Sequence, residues 1–376
     1  MKSAFRLTTI FDIPVEINYS WFIILGLIIF TLANGYFPFT NPDLTSSQHW
    51  VMAVIAAILL FASLLAHELA HSLVAKKYKL PISGITLFIF GGVAHMEEEP
   101  HTPGVEFKMA IAGPIMSFFL AFVFYALSNI FLNIGFPRSL VSISNYLYML
   151  NIVVGVFNLI PGFPLDGGRV LRALLWHFLK DLKKATAIAS TLGKTFAFFL
   201  IAFGIYNIFS GLAITGIWMV FIGLFLHEAA SVSYRQVAMK KLLGGTRVKT
   251  IMTKHVITVP ATISLDKLVD DYFFKYRHAS FPVIDEDSDS ILGLVVLHDV
   301  KEILKDNWPA TTAKDIVIPV GARMVIKPNL EVIDALAKMA KTRIGRLLVI
   351  EDEKLVGILS QRDIMKLFEY KAEIGD

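Results

Sequence analysis

Up to about residue 235 the chain is dominated by apolar runs of membrane-spanning length, and beyond that point apolar and polar residues alternate over short distances. A helix needs about 20 apolar residues to cross a bilayer. Six runs approach or exceed that length, at 17–36, 51–75, 109–132, 143–160, 187–209 and 212–232. Lys194 interrupts the fifth near one end, where a lysine can lift its ammonium to the interface. Residues 84–95 are β-branched, aromatic, too short to span and punctuated by Gly91-Gly92. They predict a strand or hairpin at the membrane boundary. Past Leu243-Gly244-Gly245-Thr246 the pattern changes to short strands and amphipathic helices, and it repeats. Pro282-Val283-Ile284-Asp285 matches Leu348-Val349-Ile350-Glu351, Asp266 echoes Asp334, and the stretch from Gly293 to Asp299 aligns with that from Gly357 to Asp363. A period of about sixty residues suggests two small α/β copies sharing a core.

The expected fold class is therefore a polytopic α-helical membrane protein of about six transmembrane helices, with a short membrane-associated β segment, followed by a soluble α/β pair. The expected boundaries are 1–238 for the membrane domain, 239–247 for a linker, and 248–307 and 308–376 for the two copies.

Composition sharpens this picture. Charged residues make up 18% of the 376, against about 25% in a soluble chain. The net charge of +4 is small and forms no basic stripe, so nucleic acid is not an expected partner. Cysteine is absent, so a metal would have to be held by histidine and carboxylate. Residues 17–30 lack a small-residue cleavage site and read as a retained span. Basic residues of the connections fall on one side: Lys2 and Arg6, then Lys76, Lys77, Lys79 and Lys108, then Arg169, Arg172, Lys180, Lys183 and Lys184. The other side holds Arg138 alone. By the positive-inside rule both termini and the repeat pair are expected in the cytoplasm, with the chain a multi-pass protein of the cell membrane.

The second span carries His67-Glu68-Leu69-Ala70-His71. Ionisable groups near a bilayer centre cost about 2.5–3.5 kcal/mol each even on the milder scales, so they usually have a function. Histidines four apart share one helical face and can hold one metal ion, with Glu68 beside them to take a proton from an attacking water. The fourth span ends at Asn158, and Pro161-Gly162-Phe163-Pro164-Leu165-Asp166-Gly167-Gly168 follows. In the expected topology Asp166 arrives on the same side and at a similar depth. Broken backbone there requires burial in protein or a wet cavity. Glu97-Glu98-Glu99 reads as a solvated loop, His227-Glu228 as an interfacial pair, and His95, His101 and His177 as boundary or loop residues. His278 and His298 read as surface positions.

His67-Glu68-Leu69-Ala70-His71, the Gly84 to Val93 segment and the stretch from Asn158 to Gly168 together resemble the site-2 protease family, the intramembrane zinc metalloproteases. The resemblance covers the second to fourth spans. It implies one zinc ion per chain, held by His67, His71 and Asp166, with Glu68 as catalytic base and Asn158 near the substrate or oxyanion. The soluble half resembles a tandem CBS-domain pair, a module that commonly binds adenine nucleotides and regulates an attached activity. Its Gly-h-h-Ser/Thr-x-x-Asp motif is intact at Gly357, Ser360 and Asp363. In the first copy Asp299 is present but Val296 replaces the hydroxyl residue, so one good site for ATP, ADP or AMP is expected.

The function expected from these features is hydrolysis of transmembrane protein substrates near the cytoplasmic face, modulated by nucleotide. The segment containing Gly91 and Gly92 would bind an unwound substrate as an added strand. Pairing of two chains through the CBS units is a further expectation. A CBS-gated transporter or channel, and a catalytically inactive scaffold, stand as alternatives.

Overall fold

A strand pair that hydropathy conceals precedes the membrane helices. In the computed structural model, which describes residues 4–89, 91–96, 98–286, 288, 290–342, 344–352 and 354–374, β1 (Ala4–Ile10) and β2 (Ile13–Asn18) form an antiparallel hairpin. Ile17 was expected in the first span, but it belongs to β2, where Ile13, Val15 and Ile17 are buried at every second position. The apolar run of the following helix masks this period of two. Asn18 ends the strand by accepting the backbone N–H of Ser20 at 2.9 Å.

Six helices among the described residues are long and apolar enough to span a membrane. The first comprises α1 (Ser20–Thr31), a π-helical turn at Leu32–Tyr36, and α2 (Phe37–Thr40). Next come α3 (Ser46–Lys77), β3 (Ile82–Phe88) and β4 (Gly91–Met96), then α4 (Pro103–Ile134) and α5 (Arg138–Asn158). The short α6 (Asp166–Leu179) precedes the long α7 (Leu182–Phe209) and α8 (Ala213–Leu243). Local chemistry fixes several of these starts. Thr45 and Gln48 form a capping box at α3, Thr102 caps α4 ahead of Pro103, and Asp181 accepts the Lys184 N–H at α7. Thus α7 starts before Lys194 and passes through it without a break.

The sheet runs β1-β2-β3-β4, with β2 and β3 parallel and β3 and β4 antiparallel. Strand β3 pairs with β4 on one side and with β2 on the other at Ile85, Thr86 and Leu87, so those residues have no free edge. This corrects the expectation that residues 84–93 as a whole could receive an added strand. Among the described residues the sheet edges are β1 and β4, and β4 carries Gly91 and Gly92. Phe90 and Glu97 lie outside the described residues.

The chain divides into two compact units, Met1–Val237 and Ala238–Asp376. Residues 239–243, expected in a linker, continue α8, and Leu243 is buried in an apolar cluster with Val332, Leu347 and Leu359. The second unit holds α9 (Val248–Ile251), β5 (Val259–Pro260), α10 (Leu265–Lys267), β6 (Ser280–Ile284), β7 (Ile291–Val296) and α11 (Leu297–Lys301). The second copy follows α12 (Ala313–Ile316) and β8 (Ile318–Pro319). It comprises β9 (Val325–Ile326), α13 (Val332–Thr342), β10 (Arg346–Glu351), β11 (Lys354–Ser360) and α14 (Gln361–Ile374). In each copy a short strand lies parallel to the first arm of a hairpin, and the hairpin register shifts at equivalent points, Val283/Ile284 and Val349/Ile350.

The copies exchange leading segments. Val248 packs with the second copy's core, while Ala313 packs with the first copy's core and β8 pairs with β7. The boundary expected at 307/308 therefore separates the copies in sequence but not in space. A third cluster, centred on Leu294, Met324 and Leu348, is shared by both.

Candidate active site

His67 and His71 sit one turn apart on α3, and α6 begins with Asp166. Asp166 Oδ2 stands 3.0 Å from His67 Nε2 and 3.1 Å from His71 Nε2, and the two Nε2 atoms are 3.2 Å apart. Among the described residues these three form the group that could hold a metal ion. The opposite ring nitrogens explain their orientation. His71 Nδ1 lies 2.7 Å from the Met109 carbonyl, which can only accept, so Nδ1 carries the proton and the neutral ring has a bare Nε2. His67 Nδ1 lies 2.8 Å from Ser117 Oγ, and donation to that oxygen leaves His67 Nε2 bare as well.

With both rings neutral in that tautomer, two nitrogen lone pairs and a carboxylate oxygen converge, which is repulsive unless a cation stands among them. Their separations are close to the edge of a tetrahedron built on zinc bonds of about 2.0–2.1 Å, roughly 3.3 Å. Nitrogen and carboxylate donors suit zinc, and three protein ligands leave a position for substrate chemistry. The residues present fit the group.

Two glycines shape the space. A Cβ on Gly113 of α4 would overlap Nε2 of both His67 and His71. A Cβ on Gly92 would lie 2.6 Å from Glu68 Cγ, so the edge strand β4 runs directly against the Glu68 side chain. The backbone that presents Asp166 is irregular but closed on itself. Leu165 N–H donates to Gly162 O, Gly168 N–H donates to Leu165 O, and Phe163 N–H donates to Ala189 O of α7. Buried irregular backbone with internal partners is what membrane depth requires.

Asn158 is the final residue of α5, half-buried. His95 faces Thr86 across the β3–β4 pair at 3.0 Å, and His101 pairs with Glu98 at an exposed position. His177 meets Phe178 edge-to-face, and Glu228 pairs with Arg235. Arg172, counted above among loop charges, is buried in an ion pair with Glu106. Ser117, Gly113, Met109 and the Glu106–Arg172 pair escaped the sequence reading. The signal available for them was a face of α4 carrying Glu106, Gly113 and Ser117 within an apolar span.

In the second unit a cavity of about 780 Å³ lies between the two copies. Phe281, Ile257 and Met324 supply apolar wall, and Arg277, Arg346, Arg362 and Lys366 supply positive charge. Ser360 and Asp363 line it, as does His278, whereas Asp299 and His298 are not among its lining residues. Ser360 Oγ accepts the Asp363 N–H at 3.2 Å at the start of α14, and Asp363 Oδ2 in return accepts from Ser360 N at 2.9 Å and from Ser360 Oγ at 2.6 Å. Val296 offers no side-chain cap to α11. Arg346 Nη1 donates to Ser280 Oγ at 2.7 Å, joining the copies at the cavity.

The chain matches the family model described as peptidase family M50 over residues 55–136 and 134–203, and that of the CBS domain over 248–306 and 313–370. Rip3 of Mycobacterium tuberculosis is 34% identical over 370 residues, covering 98% of this chain and 94% of that protein. The zinc metalloprotease MJ0392 of Methanocaldococcus jannaschii is 31% identical over 381 residues and covers the whole of both chains. Among solved structures, a site-2 protease from the same archaeon is 34% identical, with 62% of this chain and 95% of that one covered and a TM-score of 0.42.

Proposed function

The chain belongs to peptidase family M50, the zinc metalloproteases of site-2 type, and from that premise we propose that it hydrolyses peptide bonds of transmembrane proteins close to the cytoplasmic face. This is regulated intramembrane proteolysis, with adenine nucleotide in the CBS pair as the modulator. Full-length similarity to a zinc metalloprotease sets the transporter or channel alternative aside. The observation that carries the reading is the convergence of His67 Nε2, His71 Nε2 and Asp166 Oδ2 on a membrane helix that also carries Glu68.

His67, His71 and Asp166 hold the metal in this reading. Zinc, when bound, supplies a Lewis acid that makes water nucleophilic near neutral pH and polarises a carbonyl. Glu68 takes the proton from the attacking water and returns it to the leaving amine. Ser117 and the Met109 carbonyl keep both imidazoles in the tautomer and orientation that the metal needs. A substrate helix must unwind to expose its carbonyl, and its freed backbone groups then need partners. The free edge of β4 supplies them beside Glu68, with Gly91 and Gly92 allowing close approach. Asn158 is assigned a supporting contact to the substrate.

The membrane bundle lies in the cell membrane with both termini and the CBS pair in the cytoplasm, as the loop charges suggest. Nucleotide occupies the cavity lined by Ser360 and Asp363, with Asp299 at a weaker second position, and two chains pair through their CBS units.

The decisive experiment compares the purified protein with Glu68→Ala and His67→Ala on a model transmembrane substrate, with zinc counted in each. Cleavage is expected from the wild type alone, with zinc retained in Glu68→Ala and weakened in His67→Ala. Cleavage that survives Glu68→Ala refutes the mechanism, and an inactive, zinc-loaded wild type returns the scaffold alternative.

A further inference from the structure

Helix α4 meets the whole proposed ligand set from one face. At 100° per residue, Glu106, Met109, Gly113 and Ser117 fall within an arc of about 80°. The Met109 carbonyl holds His71, the Ser117 hydroxyl meets His67, and Gly113 lies flush against both rings. Glu106 reaches the helix of the third ligand. Its Oε1 accepts from Arg172 Nε at 2.6 Å and also pairs with Nη2. Arg172 stands on α6, which begins with Asp166. Its guanidinium also lies 5.0 Å from the ring centre of Phe163, in the loop that delivers Asp166.

Both partners are buried, Glu106 at 0% exposure and Arg172 at 4%. Removing two charges from water offsets much of their attraction, so well-packed apolar residues would serve stability as well or better. The pair is also incompletely satisfied, because Glu106 Oε2 is buried with no hydrogen-bond partner among the described residues. Such an arrangement is poor for stability. It is well suited to fixing one helix against another, since the planar guanidinium is held by Glu106 on one side and by the Phe163 ring on another. We propose that Glu106 and Arg172 are positioning residues for Asp166. They set α6 and the Phe163 loop against α4, so that the Asp166 carboxylate stays at the two histidines. Neither residue touches the reacting atoms. The inference rests on the assignment of His67, His71 and Asp166 as the zinc ligands.

The test uses the full-length protein in detergent and three measurements: zinc affinity by chelator competition, the absorption spectrum of the cobalt(II)-substituted protein, and the thermal midpoint. The double variant Glu106→Leu/Arg172→Met is expected to keep its thermal midpoint while zinc affinity falls roughly 10–100-fold and the cobalt bands shift. Arg172→Lys, which keeps the charge but loses the fork, is expected to lose about tenfold. Parental zinc affinity with an unchanged cobalt spectrum in the folded double variant overturns the proposal. If the double variant does not fold, Arg172→Lys decides by the same criteria. Asp166→Ala is the control. Wild-type binding lost in that control but kept in the pair variants removes this inference alone. A wild type that binds no zinc, or whose affinity survives Asp166→Ala, removes the metal assignment and this inference with it.

Discussion

Single atoms decide most of what this site can do, and glycine positions make the point most sharply. Gly113 and Gly92 both stand where a methyl group has no room, yet the two collisions differ in consequence. At Gly113 the obstacle is the pair of Nε2 atoms, so Gly113→Ala should displace the histidines and weaken zinc at least tenfold. At Gly92 the obstacle is the Glu68 side chain, so Gly92→Ala should leave zinc stoichiometry unchanged while the cleavage rate falls about 100-fold, as misplacing a reacting group by an ångström typically does. Zinc counting and single-turnover kinetics on the two variants check this. A Gly92→Ala protein that cleaves at the parental rate would show that β4 does not confine Glu68. His67, Glu68 and His71 were legible because helical spacing alone puts them together. Ser117 was not, because nothing in the sequence ties position 117 to position 67 before α3 and α4 pack.

At the level of elements, the strand order carries the mechanistic content. Pairing on both sides removes the middle of β3 as a docking edge, and of the two edge strands it is β4 that lies beside Glu68, where docking is proposed. The segment was recognisable as extended from its β-branched and glycine-rich composition. Its pairing was not, since the parallel partner of β3 is β2, whose alternation merges into the first span. The chain has no cysteine, which allows a clean test. In a Glu68→Ala background, a single cysteine at Val93 of β4 should cross-link to a cysteine near the scissile bond of a bound substrate. A single cysteine at Phe5 of β1, on the opposite edge strand, should not. Equal cross-linking from both positions would reject docking at β4.

The two units separate two kinds of chemistry within one chain. In the second unit, repeat copies with matching strand order and register shifts differ where a hydroxyl residue meets a helix start: Ser360 Oγ accepts the Asp363 N–H of α14, while Val296 caps nothing. The cavity opens beside Asp363, and its walls combine apolar residues with four fixed positive charges. Loss of a charged hydrogen-bonding group costs about 1.5–3 kcal/mol. Asp363→Ala should therefore weaken adenine-nucleotide binding by roughly 10–100-fold, and Asp299→Ala by much less, in calorimetric titration of the full-length protein. Equal losses would argue for two equivalent sites.

The sequence by itself determined the six spans, the histidine pair with its neighbouring carboxylate, the loop bearing Asp166 and the internal repeat. Each of these is either local or periodic. A span follows from a run of apolar residues, a ligand pair from helical pitch, and a repeat from self-similarity. Tertiary structure alone decided which atoms of α4 orient the histidines, that Arg172 is buried against Glu106 rather than exposed in a loop, that β4 is an edge strand beside Glu68, and that the CBS copies exchange their leading segments. These relations join residues such as 67 and 117, 106 and 172, or 248 and 332. The pattern along the chain does not encode such pairings, because they exist only once helices have chosen their neighbours and a buried polar atom has to find its partner.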